Sequence, residues 1–206
     1  MALGWIDVTN LPFNVLLLLE RVQLSWFPGW VPEPALGTAL KANPVVAWYL
    51  RHKCPEIAGW VGQVEDQAKL EADVVEIRRA ELAVLNAIND LLVYVVDPTL
   101  YDAQPFLGWE SAELSGLTDF SGKLVVDVGA GTGRLTFVAA EEGTRAVFAV
   151  EPVTNLRRYM KAKAQEKGLG NVFPVDGTIT GLPFPDEFID IVMGGHVFGD
   201  APQAED

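Results

Sequence analysis

The stretch VVDVGAGTGRL, residues 125–135, decides how the second half of the chain is read. An apolar run of strand composition enters a turn with glycine at 129, 131 and 133, and a helical pattern, LTFVAAEE, leaves it. A turn this rich in glycine admits left-handed backbone and lets the main chain approach a ligand closely. Downstream the alternation repeats: AVFAV at 146–150, NLRRYMKAKAQEK at 155–167, NVFPV at 171–175 and IDIVM at 189–193, with Gly143 and Gly168 as helix stops. That order predicts parallel strands joined by right-handed crossovers. The expected fold class is α/β with a doubly wound parallel sheet, beginning near residue 121.

Residues 1–120 have a different character and form a mainly helical N-terminal region. Asn43 before Pro44 predicts a capped helix opening PVVAWYLRHK, and Pro55 ends or restarts it. Over 64–96 apolar residues recur at Leu70, Val74, Ile77, Val84, Ile88, Leu91 and Val95, broken only by Glu81, and Asp97-Pro98 stops the pattern. A second stripe, Val75, Leu82, Leu85, Leu92 and Val96, widens the apolar face, so one long helix covered on two sides is expected. The first forty residues carry Trp5, Phe13, Trp26, Phe27 and Trp30. Ordinary core is the simplest reading of these rings; a lid, a docking surface and a membrane-interface segment are the alternatives.

Composition narrows the partners. With 206 residues, half of them apolar, the chain can build one or two cores. A net charge of −13 disfavours nucleic acid. Arg157, Arg158, Lys161, Lys163 and Lys167 do cluster, and their helical spacing is that of a solvated face rather than an anion site. One cysteine, Cys54, excludes an intrachain disulfide and points to a reducing compartment, with cytoplasm the default. VLLLL at 15–19 is too short to span a bilayer, and no Lys or Arg precedes Arg21, so neither a membrane partner nor a secretory signal is expected. His52 and Cys54 fall on different helix faces with no third ligand nearby, and no metal site is expected.

The loop itself discriminates between ligands. The dinucleotide pattern G-x-G-x-x-G requires a small residue at 134, where Arg134 stands, and the sequence gives G-x-G-x-G instead. Asp127 lies two residues before the loop. A carboxylate about 5 Å from a pyrophosphate costs on the order of 3 kcal/mol per charge at an effective dielectric near 20, whereas beside an ammonium or sulfonium it is favourable. Glu151 and Pro152 end the next strand, where an acid in this fold accepts hydrogen bonds from ribose hydroxyls, whichever nucleoside cofactor is bound.

These residues resemble the class I S-adenosylmethionine-dependent methyltransferases, in particular the small-molecule, quinone-biosynthesis-like branch. DVGAGTGR is similar to the family's first motif, AVFAVEP to its second, and DGTITGLPFPDEFIDIVMGGHVF to its third and fourth. The resemblance covers about residues 101–200 and implies a Rossmann-like domain. It implies that the Gly129–Gly133 backbone, Ala130 and Gly131 included, passes beneath the methionine moiety, with Asp127 facing its ammonium. By the same resemblance Glu151, beside Pro152, holds the ribose, Asp176 and Gly177 receive the adenine, and Gly195 borders the cofactor. Tyr101 occupies the place where the family often puts an aromatic near the methionine end; packing at the domain junction is its alternative role. His196 is the one candidate general base, and a strand-end or pocket-lining histidine is the alternative.

The function expected is methyl transfer from S-adenosylmethionine to a small-molecule acceptor, with residues 1–120 forming a lid, acceptor pocket or interaction surface. A non-catalytic cofactor-binding module and, behind it, a nicotinamide-dependent oxidoreductase are the alternatives. The family's sheet has seven strands, and four can be placed before the polar ending GDAPQAED. The fourth strand is then an edge with an open apolar face. The domain is therefore expected to be the first half only, to be completed by a missing segment or a second copy, and to bind cofactor weakly alone.

Overall fold

The computed structural model describes residues 4–68, 71–104, 111–195 and 197, and divides into two compact units, Met1–Tyr101 and Asp102–Asp206. The packing boundary thus lies upstream of the change in composition near residue 120. Leu114 and Phe120 are buried against Val125 and Val147 of the sheet, which ties this stretch to the second unit.

The first unit is helical. Short 3-10 helices at Phe13–Leu18 and Pro55–Ile57 accompany α1 (Arg21–Ser25), α2 (Glu33–Ala42), α3 (Pro44–Lys53), α4 (Ala58–Gln67), α5 (Val74–Ala87) and α6 (Asn89–Val96). The short α7 (Pro98–Asp102) follows. PVVAWYLRHK forms α3 as expected, but the Asn43 carboxamide does not cap it: it donates to Ala39 O at 2.9 Å and to Glu81 Oε1 at 2.8 Å. Glu81, the break in the apolar stripe, also accepts from Arg78, which reaches on to the carbonyls of Thr9 and Leu11. The stripe's polar interruption is a tether for the N-terminal segment.

The single helix expected over 64–96 is instead three. A capping box starts α5: Asp73 accepts from the backbone of Val75 and Glu76 at 2.8 Å each, and Glu76 returns a bond to Asp73 N. Satisfying these orphan amide groups fixes a helix start inside the apolar pattern. Val74 and Val75, in that first turn, are 81% and 65% exposed rather than core. The second break, at Ile88, precedes the buried Asn89, whose carboxamide accepts from Trp5 N and Ile6 N and donates to Ile6 O. Of the early aromatics, Phe13 and Phe27 are core, whereas Trp26 and Trp30 are exposed and lie against each other with centroids 6.0 Å apart.

The second unit holds α8 (Ser111–Ser115), β1 (Leu124–Val128), α9 (Arg134–Glu141), β2 (Ala146–Val150), α10 (Thr154–Glu166), β3 (Val172–Val175) and β4 (Ile191–Met193). The strands pair in the order β3-β2-β1-β4, all parallel, with Asp127 opposite Ala149 and Met193. The expected Rossmann-like α/β sheet is present. β1 is its centre, and the order reverses between β1 and β4, which opens a crevice at their carboxyl ends. Alternate residues divide between the faces. Val125, Val147 and Ala149 pack on the helical layer with Phe137, Ala139 and Met160. Val126, Val128, Phe148 and Val150 turn the other way, toward Phe184 and Ile189. There Phe148 meets Phe173, Phe184 and Phe188 at centroid distances of 5.8, 5.0 and 5.8 Å. On that face Val192 of β4 is 63% exposed, and among the described residues β4 pairs with β1 alone.

Candidate cofactor site

The loop after β1 depends on its glycines. Gly129, Gly131 and Gly133 have φ of 67°, 57° and 86°, the left-handed region that side chains disfavour. A Cβ at Gly129 would stand 2.2 Å from Val197 Cγ1, and one at Gly133 2.8 Å from Phe137. The loop folds over the end of β2, because Gly129 N and Ala130 N both donate to Val150 O, at 2.8 and 3.1 Å. Gly133 then serves as N-cap of α9 without a side-chain cap, which leaves first-turn amide groups without an intrahelical partner.

Glu151 meets this loop from the next strand. One carboxylate oxygen accepts from Gly131 N at 3.0 Å and the other from Val153 N at 2.9 Å. Burial pushes its carboxyl up to about 7, against the lowering effect of those two bonds. Asp127, 1% exposed, accepts from Thr136 Oγ1 at 2.6 Å, and burial pushes it up to about 7 as well. Among the described residues neither carboxylate has an ion-pair partner. Two buried acids without a paired cation, beside a loop with no room for side chains, fit a cationic nucleoside better than a polyphosphate.

The remaining expected residues distribute as follows. Asp176, after β3, is mostly exposed and pairs with Arg157 at 2.9 Å. Gly177 is required by packing, since a Cβ there would meet Val150 Cγ1 at 2.9 Å and Pro183 Cδ at 3.1 Å. Ala130 is buried in the helical layer, and Pro152 and Gly195 are half-buried at the strand ends. Tyr101 belongs to the first unit, where its ring lies edge-on to Trp5 and Tyr94 at 6.0 and 4.8 Å. His196 lies outside the described residues. Among the described residues no cluster could hold a metal. His52 stacks on Trp48 while Cys54 is buried, and burial raises its thiol.

Three residues of this neighbourhood escaped the sequence reading. Thr136 holds Asp127, and its signal is only its place in the first turn of α9. Asp102 gathers Arg134, Tyr159 at 2.8 Å and Lys163 at 2.6 Å, with Arg134 also bonded to its carbonyl. Burial raises the Asp102 carboxyl, but the hydrogen bonds, from Lys163 foremost, hold it below its usual value. The same contact helps push Tyr159, mainly through burial, up to about 12. Arg157 is the third. The basic cluster on α10 is therefore only in part a solvated face: Arg157 and Lys163 turn inward to carboxylates, Lys167 pairs with Glu141, and Arg158 and Lys161 are exposed.

A parallel sheet thus carries a left-handed glycine loop after β1, closed on the acid that ends β2. Residues 125–205 match the family model described as methyltransferase domain. The chain is similar to an uncharacterized methyltransferase of Geobacillus kaustophilus, 34% identical over 108 residues, 51% of this chain and 47% of that one. It is also similar to histone-arginine methyltransferase CARMER of Aedes aegypti, 35% identical over 86 residues, 41% of this chain and 14% of the relative. Among solved structures it is similar to Haemonchus contortus phosphoethanolamine N-methyltransferase 1 in complex with phosphoethanolamine and S-adenosylhomocysteine. That similarity has a TM-score of 0.38 and 28% identity, over 47% of this chain and 20% of that one. The chain thus spans less than half the length of these relatives. Among the described residues no helix is long and apolar enough to cross a membrane.

Proposed function

We propose that the chain binds S-adenosylmethionine across the carboxyl ends of β1 and β2 and takes part in methyl transfer to a small-molecule acceptor. The observation that carries this is the junction of Gly131 N with the Glu151 carboxylate, a loop of left-handed glycines closed on the acid that ends the neighbouring strand. Bound there, the cofactor supplies an electrophilic methyl group on a sulfonium. The chain's own residues bind and orient: Glu151 accepts from ribose hydroxyls, Asp176 from the adenine amino group, and the Asp127 charge favours the methionine ammonium. The start of α9 adds its free amide groups at the loop. His196 is the proposed base where the acceptor must lose a proton.

The small-molecule acceptor rests on the LPFPDEF run at 182–188, similar to that branch of the family. The arginine-methylating relatives support a second acceptor class, a basic protein segment, which the chain's negative charge would attract. Calorimetry with S-adenosylhomocysteine and with NAD tests the cofactor: the former binds and the latter does not, and the reverse result removes the proposal. Transfer of a labelled methyl group to a small-metabolite pool, compared with an arginine-rich peptide, decides the acceptor. Turnover by His196→Ala equal to wild type would remove the base assignment.

A further inference from the structure

We propose that Arg157 is a positioning residue of the adenosine pocket, whose one guanidinium fixes the end of β2 and the segment after β3 to each other so that Glu151 and Asp176 serve the same nucleoside. The proposal rests on the reading of the site as an adenosyl-cofactor pocket and names a specificity determinant for it. Arg157 Nη1 donates to Glu151 O at 2.6 Å and to Asp176 Oδ1 at 2.9 Å, and Nη2 donates to Thr154 Oγ1 at 3.0 Å. Its side chain is 19% exposed, whereas that of Asp176 is 77% exposed. Asp176 is therefore a surface carboxylate held by a largely buried cation. Among the described residues the Asp176 carboxylate is bonded by Arg157, and the loop after β3 is otherwise closed by the Thr178–Gly181 turn.

The chemistry gives this contact a consequence for selectivity. A carboxylate paired with a guanidinium is an acceptor only. An exocyclic amino group on a purine donates to it, and a keto oxygen at the same place repels it. The fork geometry matters too, because a lysine cannot reproduce several directed bonds from one planar group. The groups facing Glu151 are Asp127 from β1, the amide groups of Gly131 and Val153, and Arg157 from α10, the last of these being the cation among them.

Calorimetry with S-adenosylhomocysteine and S-inosylhomocysteine on wild type, Arg157→Gln, Arg157→Lys and the double variant Arg157→Gln/Asp176→Asn tests the assignment. The wild type is expected to prefer the adenosyl compound by about tenfold or more. Arg157→Gln lowers affinity for it by about tenfold and erases most of the preference, and the double variant loses little beyond that. Arg157→Lys, which keeps the charge and provides the comparison where the glutamine variant does not fold, retains the weakened preference. Equal losses for both nucleosides, or wild-type affinity and preference in Arg157→Gln and Arg157→Lys, would overturn the role of Arg157. Absence of binding by the wild type is a different outcome: the cofactor reading then fails, and the positioning role with it.

Discussion

The two units solve burial differently. In the first, helices surround one continuous cluster running from Val8 to Leu92, with Leu36, Leu40, Leu50 and Leu85 fully enclosed. In the second, the sheet divides its apolar residues between two faces and the core falls into three clusters. One face is covered by α8, α9 and α10; the other ends in partly exposed rings and Val192. Buried polar groups differ in the same way. Gln23 and Asn89 of the first unit bond backbone groups of their own unit and serve its construction. The second unit also buries two acids beside a glycine loop, Asp127 and Glu151, whose carboxyls burial pushes up to about 7 against the bonds they accept. A helical core can be closed on all sides, whereas the crevice at the carboxyl ends of these strands has ionisable groups beside it.

The contrast yields expectations in descending size. Leu40→Ala should destabilise the protein by about 2–5 kcal/mol, because a fully enclosed side chain leaves a cavity. Its affinity for S-adenosylhomocysteine at low temperature should stay within about twofold of wild type. A large loss of affinity in folded protein would break the division of labour between the units. Gly133→Ala places a Cβ against Phe137 and Met160 at a left-handed position and should cost about 2–3 kcal/mol, read mainly as lost cofactor binding. Glu151→Ala should weaken cofactor binding at least about tenfold, or about 1.4 kcal/mol; unchanged calorimetric affinity would remove Glu151 from the site.

The two raised carboxyls sharpen the comparison through pH. Each holds its proton more tightly folded than unfolded, so the stability they contribute is complete below about pH 4, falls as pH rises, and is gone above about 7. A cationic ligand favours the ionised forms, so affinity should instead rise with pH up to about 7 and level off, with proton release on binding. Chemical denaturation with and without S-adenosylhomocysteine across pH 5–8 measures both trends, and parallel pH dependences would contradict the assignment. The smallest effect belongs to the open face: Val192→Thr should change stability by less than about 0.5 kcal/mol. A larger loss would show that this face is covered in the working protein.

Local pattern alone determined the strands VVDV, AVFAV and VFPV, the helices between them and the helix from Pro44, because period, capping glycine and proline act over a few residues. It also marked the glycine loop and Glu151, since positive φ and a strand-ending acid are properties of position in the chain. The capping box at Asp73–Glu76 was legible too, though the apolar stripe running across it concealed it. The break at Ile88, the tether at Glu81 and the ion pairing of Arg157 and Asp102 were decided by tertiary structure. Each depends on partners far apart in sequence: Trp5 and Ile6 for Asn89, Asp176 for Arg157, Lys163 for Asp102. Helical spacing shows which side chains share a face, and only the neighbouring elements fix whether that face meets water, a carboxylate or another helix.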